Sequence, residues 1–202
     1  MISISGLDFS YGDHVVFAGL SVELPERGVI ALRGSNGVGK TTLLKLLGGL
    51  LPSANNSLRK ARTLWRLVYL DTDFLSLDSL TVAEYLALME LELGAGGAVS
   101  SGLIDPGMLS VCVRELSLGQ RQRCVLALAL TLPDVDVLLL DEPLNGLDAA
   151  ASAIARAELM RAGRRSTVLL ATHEVSDWAE ADLTLFPGST VDLSPRVSGG
   201  AR

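Results

Sequence analysis

The sequence predicts an α/β fold: a mostly parallel β-sheet flanked by helices, with an antiparallel β part at its N-terminus. Three observations carry this. From residue 28 onward, short apolar runs of strand length alternate with longer stretches of helical pattern, the order expected of β–α–β units. Residues 2–9 and Val15–Leu24 alternate apolar and polar side chains on either side of Tyr11-Gly12-Asp13, a hairpin pattern. Between the apolar run Gly28–Arg33 and the leucine-rich Thr42–Leu47, a glycine loop opens directly into a helix.

The remaining elements follow in order. Pro25-Glu26-Arg27-Gly28 is a turn cluster, and Pro52–Ser57 is a loop by composition. Leu64–Leu70 reads as a strand. Thr81–Glu92 reads as a helix, with Thr81 as cap, Glu84 three residues later, and Val82, Tyr85, Leu86 and Met89 on one face. Leu93–Gly102 is glycine-rich and expected to be mobile. Gly119–Leu132 is a helix stopped by Pro133, and Val135–Leu140 is a strand. Ala149–Arg161 is an alanine-rich helix ending at Gly163. Thr167–Ala171 and Leu183–Phe186 are further strands. Residues 188–202 are rich in Gly, Ser and Pro, and 191–202 are expected to be a flexible tail.

Composition narrows the function. A chain of 202 residues is one domain, or one with a small insertion. Hydrophobic residues make up 49% and charged residues 20%, with net charge −6. There is no basic patch, so nucleic acid is not an expected partner. No apolar run reaches bilayer length: Lys45 interrupts one candidate, and Arg123 and Pro133 bracket another. The first residues show no signal-peptide pattern. Cys112 and Cys124, without Cys-x-x-Cys spacing, read as free thiols of a reducing compartment. Trp65 and Trp178 read as packing residues, and His14 as a loop residue.

Gly34-Ser35-Asn36-Gly37-Val38-Gly39-Lys40-Thr41-Thr42 fits G-x-x-x-x-G-K-[ST]. Average residue usage makes a chance match in a chain this long roughly a one per cent event. Glycines let the backbone curl until several N–H groups face one anion, and the following helix adds its positive end. Lys40 then reaches the β- and γ-phosphates of a nucleotide, and the Thr41 hydroxyl serves Mg²⁺. Val135–Leu140 runs into Asp141-Glu142-Pro143. An acid at the carboxyl end of a buried parallel strand faces the ligand crevice. Asp141 can hold Mg²⁺, and Glu142 can polarise the attacking water; an ordinary strand-to-turn boundary also carries such acids.

Leu116-Ser117-Leu118-Gly119-Gln120 opens the helix through Gln120–Ala127. With the glycine loop and the acidic strand in this order, the chain resembles the ATP-binding subunit of an ABC transporter, whose signature is Leu-Ser-Gly-Gly-Gln. Leu144-Asn145-Gly146-Leu147-Asp148 resembles the family's D-loop and Thr172-His173-Glu174 its switch histidine; Tyr11 stands where the family places a ring against adenine. Each has a plainer alternative: Ser117 and Asp148 as helix caps, His173 as a packed histidine. The resemblance spans about residues 1–190 and implies a P-loop NTPase of ABC type with a small helical subdomain at about 73–132. It implies ATP and Mg²⁺ as cofactors, with Glu142 and His173 catalytic. Ser117, Leu118, Gly119 and Gln120 would meet the nucleotide of a second ATP-binding subunit, in a homo- or heterodimer. Membrane-spanning subunits on separate chains would hold the protein at the cytoplasmic side of the cell membrane. A soluble non-transport ABC ATPase and a catalytically weak regulatory subunit are the alternatives. Two departures stand out. Leu118 replaces the signature's first glycine, and in Asp71-Thr72-Asp73 Thr72 takes the place of a Mg²⁺-contacting glutamine; a water can bridge from Thr72 to the metal, or Asp71 or Asp73 can turn inward as a substitute ligand, the plainer alternative being that both acids are solvated loop residues.

Overall fold

The computed structural model describes residues 1–71, 75, 77–94, 96–172, 178–186 and 190–195. They form two compact units: Met1–Tyr69, Val135–Glu142 and Ala162–Arg202, and Leu70–Asp134 with Pro143–Arg161.

The first unit begins with the expected hairpin, β1 (Ile2–Tyr11) antiparallel to β2 (His14–Leu24). Ile2, Ile4 and Leu7 on one strand and Phe17, Leu20, Val22 and Leu24 on the other are buried. Its register shifts between Ile4 and Leu7, and the Asn55 amide donates to the Ser5 and Gly6 carbonyls at 3.0 and 2.9 Å there. The main sheet contains β3 (Gly28–Arg33), β4 (Leu67–Leu70), β5 (Val137–Asp141), β6 (Thr167–Ala171), β7 (Ala181–Phe186) and β8 (Thr190–Pro195). Their spatial order is β4-β5-β6-β3-β7-β8. β3 runs parallel to β6 and β7, and β5 parallel to β6. β3 and β6 read as continuous apolar runs because they lie inside this sheet, where side chains on both faces are buried. Helix α1 (Lys40–Gly48) packs Leu43, Leu44, Leu46 and Leu47 into the core with Ile30, Leu32, Leu139 and Leu169. Each such side chain, fully removed from water, stabilises the fold by about 1.5–3 kcal/mol. Trp65 packs against this cluster as expected.

Three expectations need correction here. Residues 56 and 57, expected in a loop, and 64, expected in a strand, belong together with the unassigned 58–63 to α2 (Asn56–Leu64), with Asn55 capping the Leu58 amide at 2.9 Å. The strand expected at Leu64–Leu70 therefore starts only at Leu67. The expected flexible tail from 191 is instead β8 as far as Pro195, antiparallel to β7 with Leu193 opposite Leu183; an edge strand needs hydrogen bonds on one side only, which tolerates a polar sequence.

The second unit holds α3 (Val82–Leu93), α4 (Leu118–Thr131) and α5 (Ala149–Gly163, whose last two residues belong to the first unit). Thr81 and Glu84 form a capping box at α3, as their spacing predicts. Within the glycine-rich stretch 93–102 lies a 3-10 turn at Ala98–Ser101, with Ala98 buried. The helical unit is larger than the expected 73–132, because Pro143–Arg161 joins it.

Candidate functional site

The glycine loop follows β3 directly and its conformation demands glycine. Gly34, Gly37 and Gly39 have φ of 145°, 77° and 108°, a region L-side chains avoid. Space demands it too: a Cβ on Gly34 would come within 2.7 Å of Val38 Cγ1 and 2.8 Å of the Leu185 carbonyl oxygen. At Gly39 it would meet the Phe17 ring and Val16 Cγ1 at 2.8 Å. Gly39 is the cap residue of α1, and no side chain caps that helix end. Lys40 is buried, and its ammonium donates to the carbonyls of Gly34 at 2.9 Å and Ser35 at 3.2 Å. The cation thus lies across the loop, beside the helix end that favours an anion.

Two other segments of this unit converge on the loop. The Thr41 hydroxyl donates to Asp141 Oδ2 at 2.6 Å, across 100 residues of sequence. This is a hard, all-oxygen donor pair, the kind that suits Mg²⁺. Glu142 follows with φ 47° and donates its amide to the Ala171 carbonyl at 3.0 Å. A left-handed non-glycine residue costs on the order of 1 kcal/mol or more and persists only where its surroundings fix it. Tyr11 is half exposed, stands edge-on to Phe9 at 4.9 Å, and its hydroxyl lies 3.5 Å from Thr42 Oγ1. Lys40, Thr41, Thr42, Asp141, Glu142 and Tyr11 are thereby assembled on one unit.

The signature residues belong to the other unit. Ser117 Oγ accepts from the Gln120 amide at 3.2 Å, and Gln120 Oε1 accepts from the Ser117 amide at 2.9 Å. This reciprocal capping box gives Ser117 the helix-cap role weighed from sequence and engages the Gln120 side chain. Leu118 is exposed. Asp148 is also a cap: its Oδ1 accepts from the Ala151 amide at 2.7 Å. His173, Thr72 and Asp73 lie outside the described residues. Thr172, beside His173, is buried and donates its amide to the Leu32 carbonyl at 3.4 Å.

Sequence reasoning passed over two supports of the loop. Arg33, its last strand residue, pairs with Asp182 at 2.6 Å with both side chains largely buried. Arg62 on α2 donates to the carbonyls of Leu46, Leu47 and Leu51 at the C-terminal end of α1, a placement the helix dipole favours; burial pushes its pKa below the ordinary arginine value. A charged residue ending an apolar strand was the available signal for Arg33. Arg62 offers none, because residues 58–63 carry no element signal of their own.

Three comparisons bear on these residues. A family model described as ABC transporter matches residues 17–145. The cytochrome c biogenesis ATP-binding export protein CcmA of Zymomonas mobilis is 34% identical over 175 residues, covering 84% of this chain and 76% of that protein. The aliphatic sulfonates import ATP-binding protein SsuB of Pseudomonas putida is 34% identical over 221 residues, covering 100% of this chain and 81% of that protein. Among solved structures, the dimeric post-hydrolysis state of an ATP-binding cassette bound to ADP and Pi superposes with a TM-score of 0.79 at 19% identity, over 96% of this chain and 98% of that one. That likeness bears on the fold alone.

Proposed function

The chain belongs to the ABC transporter family, in the company of its ATP-binding proteins, and from that premise we propose that it is the ATP-hydrolysing subunit of a transporter. The observation that carries this is the uncapped glycine-loop end of α1, with Lys40 across the loop and the Thr41–Asp141 pair beside it. The loop amides and Lys40 hold the triphosphate, and Tyr11 meets the base. Thr41 and Asp141 are the residues that would hold Mg²⁺, which supplies charge neutralisation on the phosphates when bound. Glu142 orients and deprotonates the water, and its fixed left-handed backbone sets where its carboxylate starts. His173 is proposed as a further catalytic residue from its motif.

Ser117–Gln120 of a second ATP-binding subunit would complete each nucleotide site. Among the described residues no helix is long and apolar enough to cross a membrane, which suits a peripheral subunit that works on membrane-spanning partner chains. One relative is named for export and another for import at the same 34% identity. This fits a motor whose cargo and direction are set by its partners. The test is Glu142→Gln. Glutamine keeps the shape and removes the base, so hydrolysis should fall by at least about a hundredfold, while ATP binding persists and size-exclusion chromatography with ATP shows a dimer. Turnover at the wild-type rate removes Glu142 from the base role; wild-type ATP binding without any hydrolysis moves the chain to a regulatory role.

A further inference from the structure

We propose that Gly119 and Leu118 are positioning residues for Asp148 of the same chain: they lock the signature turn onto the Gly146–Asp148 turn, so that the two move as one body. The proposal rests on the reading of both turns as nucleotide-facing.

Gly119 is the second residue of α4, and its φ is not in the left-handed region. Its backbone angle therefore does not require glycine; its surroundings do. A Cβ at Gly119 would lie 2.3 Å from the carbonyl oxygen of Gly146 and 3.3 Å from the carbonyl carbon. The obstruction is main chain, which cannot rotate aside as a side chain can. Gly146 is constrained in the opposite way. Its φ is 77°, but a Cβ there would meet Gly119 N, Gly119 Cα and Leu118 Cγ at 3.5–3.6 Å, ordinary contact distances. Sterics fixes one glycine and the dihedral angle fixes the other. Leu118, in place of the glycine usual in the signature, lies beside this junction, its Cγ 3.6 Å from where a Cβ on Gly146 would stand, and is itself 56% exposed.

The Gly146 turn is closed on its other side. The Leu147 amide donates to the Leu144 carbonyl at 3.2 Å, and two residues beyond Gly146, Asp148 caps α5 through the Ala151 amide. A displacement of the Gly146 carbonyl must therefore be taken up by Asp148. Gly119 stands against that carbonyl from one side, with Leu118 next to it. The two functional turns of a chain thus carry one set of coordinates.

Amide hydrogen exchange of the full chain without nucleotide tests the lock. Gly119→Ala should speed exchange at Leu147 and Ala151 by about tenfold, and Leu118→Gly by about threefold, because each loosens the closed turn. Thr81→Ala opens the capping box of α3, away from the junction, and should leave both amides unchanged. Unchanged rates in Gly119→Ala, or equal acceleration in Thr81→Ala, overturn the proposal. Should Gly119→Ala fail to fold, Leu118→Gly decides alone, and unchanged Leu147 and Ala151 rates in that variant overturn it. No nucleotide enters the measurement, so its failure removes the lock and leaves the ATP-binding reading standing, while a chain that shows the lock yet binds no ATP removes only that reading.

Discussion

Two helix N-termini in this molecule are candidates to meet phosphate, and they are built in opposite ways. α1 begins at Gly39 in the left-handed region, with no side-chain cap and no acid in its first turn. α4 begins at Ser117 with a reciprocal capping box that engages Gln120. A helix end leaves up to four amides for outside partners. At α1 the chain supplies no side-chain cap and adds a buried cation; at α4 it spends two side chains on its own first turn. On the proposed reading, the difference concentrates affinity for an anion at α1, whereas α4 is shaped in advance and contributes when a neighbour brings the ligand to it.

The largest effect that could break this contrast is at Lys40. Lys40→Ala removes a buried charge from the loop and frees the carbonyls of Gly34 and Ser35. Loss of a charge-assisted contact to phosphate should weaken ATP binding by about a hundredfold, or about 2.7 kcal/mol. Isothermal titration of the single subunit checks this, with Ser117→Ala alongside. Equal losses in the two variants would show that both helix ends carry affinity. The next effect is at the α1 cap itself. Gly39→Ala must hold alanine at φ 108° and push against Phe17 and Val16. We expect a stability loss of about 2 kcal/mol or more, seen as a drop in melting temperature of about 5 °C. An unchanged melting curve would mean that the loop relaxes and that its conformation is not strictly glycine-dependent.

The same contrast explains what the sequence disclosed. The glycine loop, β3, β5, β6, the capping box at Thr81 and the Ser117 cap were legible because each is dictated locally, by glycine spacing, a continuous apolar run, or a polar residue at a helix start. α2 was not legible: it buries only Leu58 and Ala61, and its start, Asn55-Asn56-Ser57, has the composition of a loop. Its reason to be helical is tertiary, in the Asn55 bonds to the β1 irregularity and the Arg62 bonds to the end of α1. β8 was hidden for a similar reason, since its partner β7 supplies the order. At the site, the Thr41–Asp141 contact followed from the motif and the strand rule together. The approach of Gly119 to Gly146 could not, because it depends on two segments 27 residues apart in sequence meeting backbone to backbone.

A smaller effect sharpens the α4 side. Ser117→Ala removes the cap oxygen and should cost about 1 kcal/mol, lowering the melting temperature by about 3 °C. A loss as large as that of Gly39→Ala would mean that the capped end is as indispensable to the fold as the uncapped one.

The smallest expected change concerns Cys124, seven positions beyond Ser117 on α4. Burial pushes its thiol from the ordinary 9.0 up to about 12, against a weaker opposing pull from Arg123 and Arg121. Burial likewise raises the Tyr85 hydroxyl to about 12, with Cys124 adding to the shift. The thiolate is the reactive form, so at pH 8 iodoacetamide should label the half-buried Cys112 and spare Cys124. The sign of the pH dependence follows from a folded value above the unfolded one. The stability tied to the neutral thiol is complete below pH 9.0 and is lost as pH rises toward about 12. Labelling of Cys124 should therefore accelerate only in that alkaline window. Ser117→Ala should not change this at pH 8, because a lost cap frays the first turn and Cys124 lies beyond it, among Val125, Leu126 and Leu128, all buried. Mass spectrometry of labelled protein reads both sites at once. Rapid labelling of Cys124 in Ser117→Ala at pH 8 would show that the cap holds the whole of α4, and the self-contained helix end contrasted with α1 would then be a condition for the helix to exist rather than a local finish to it.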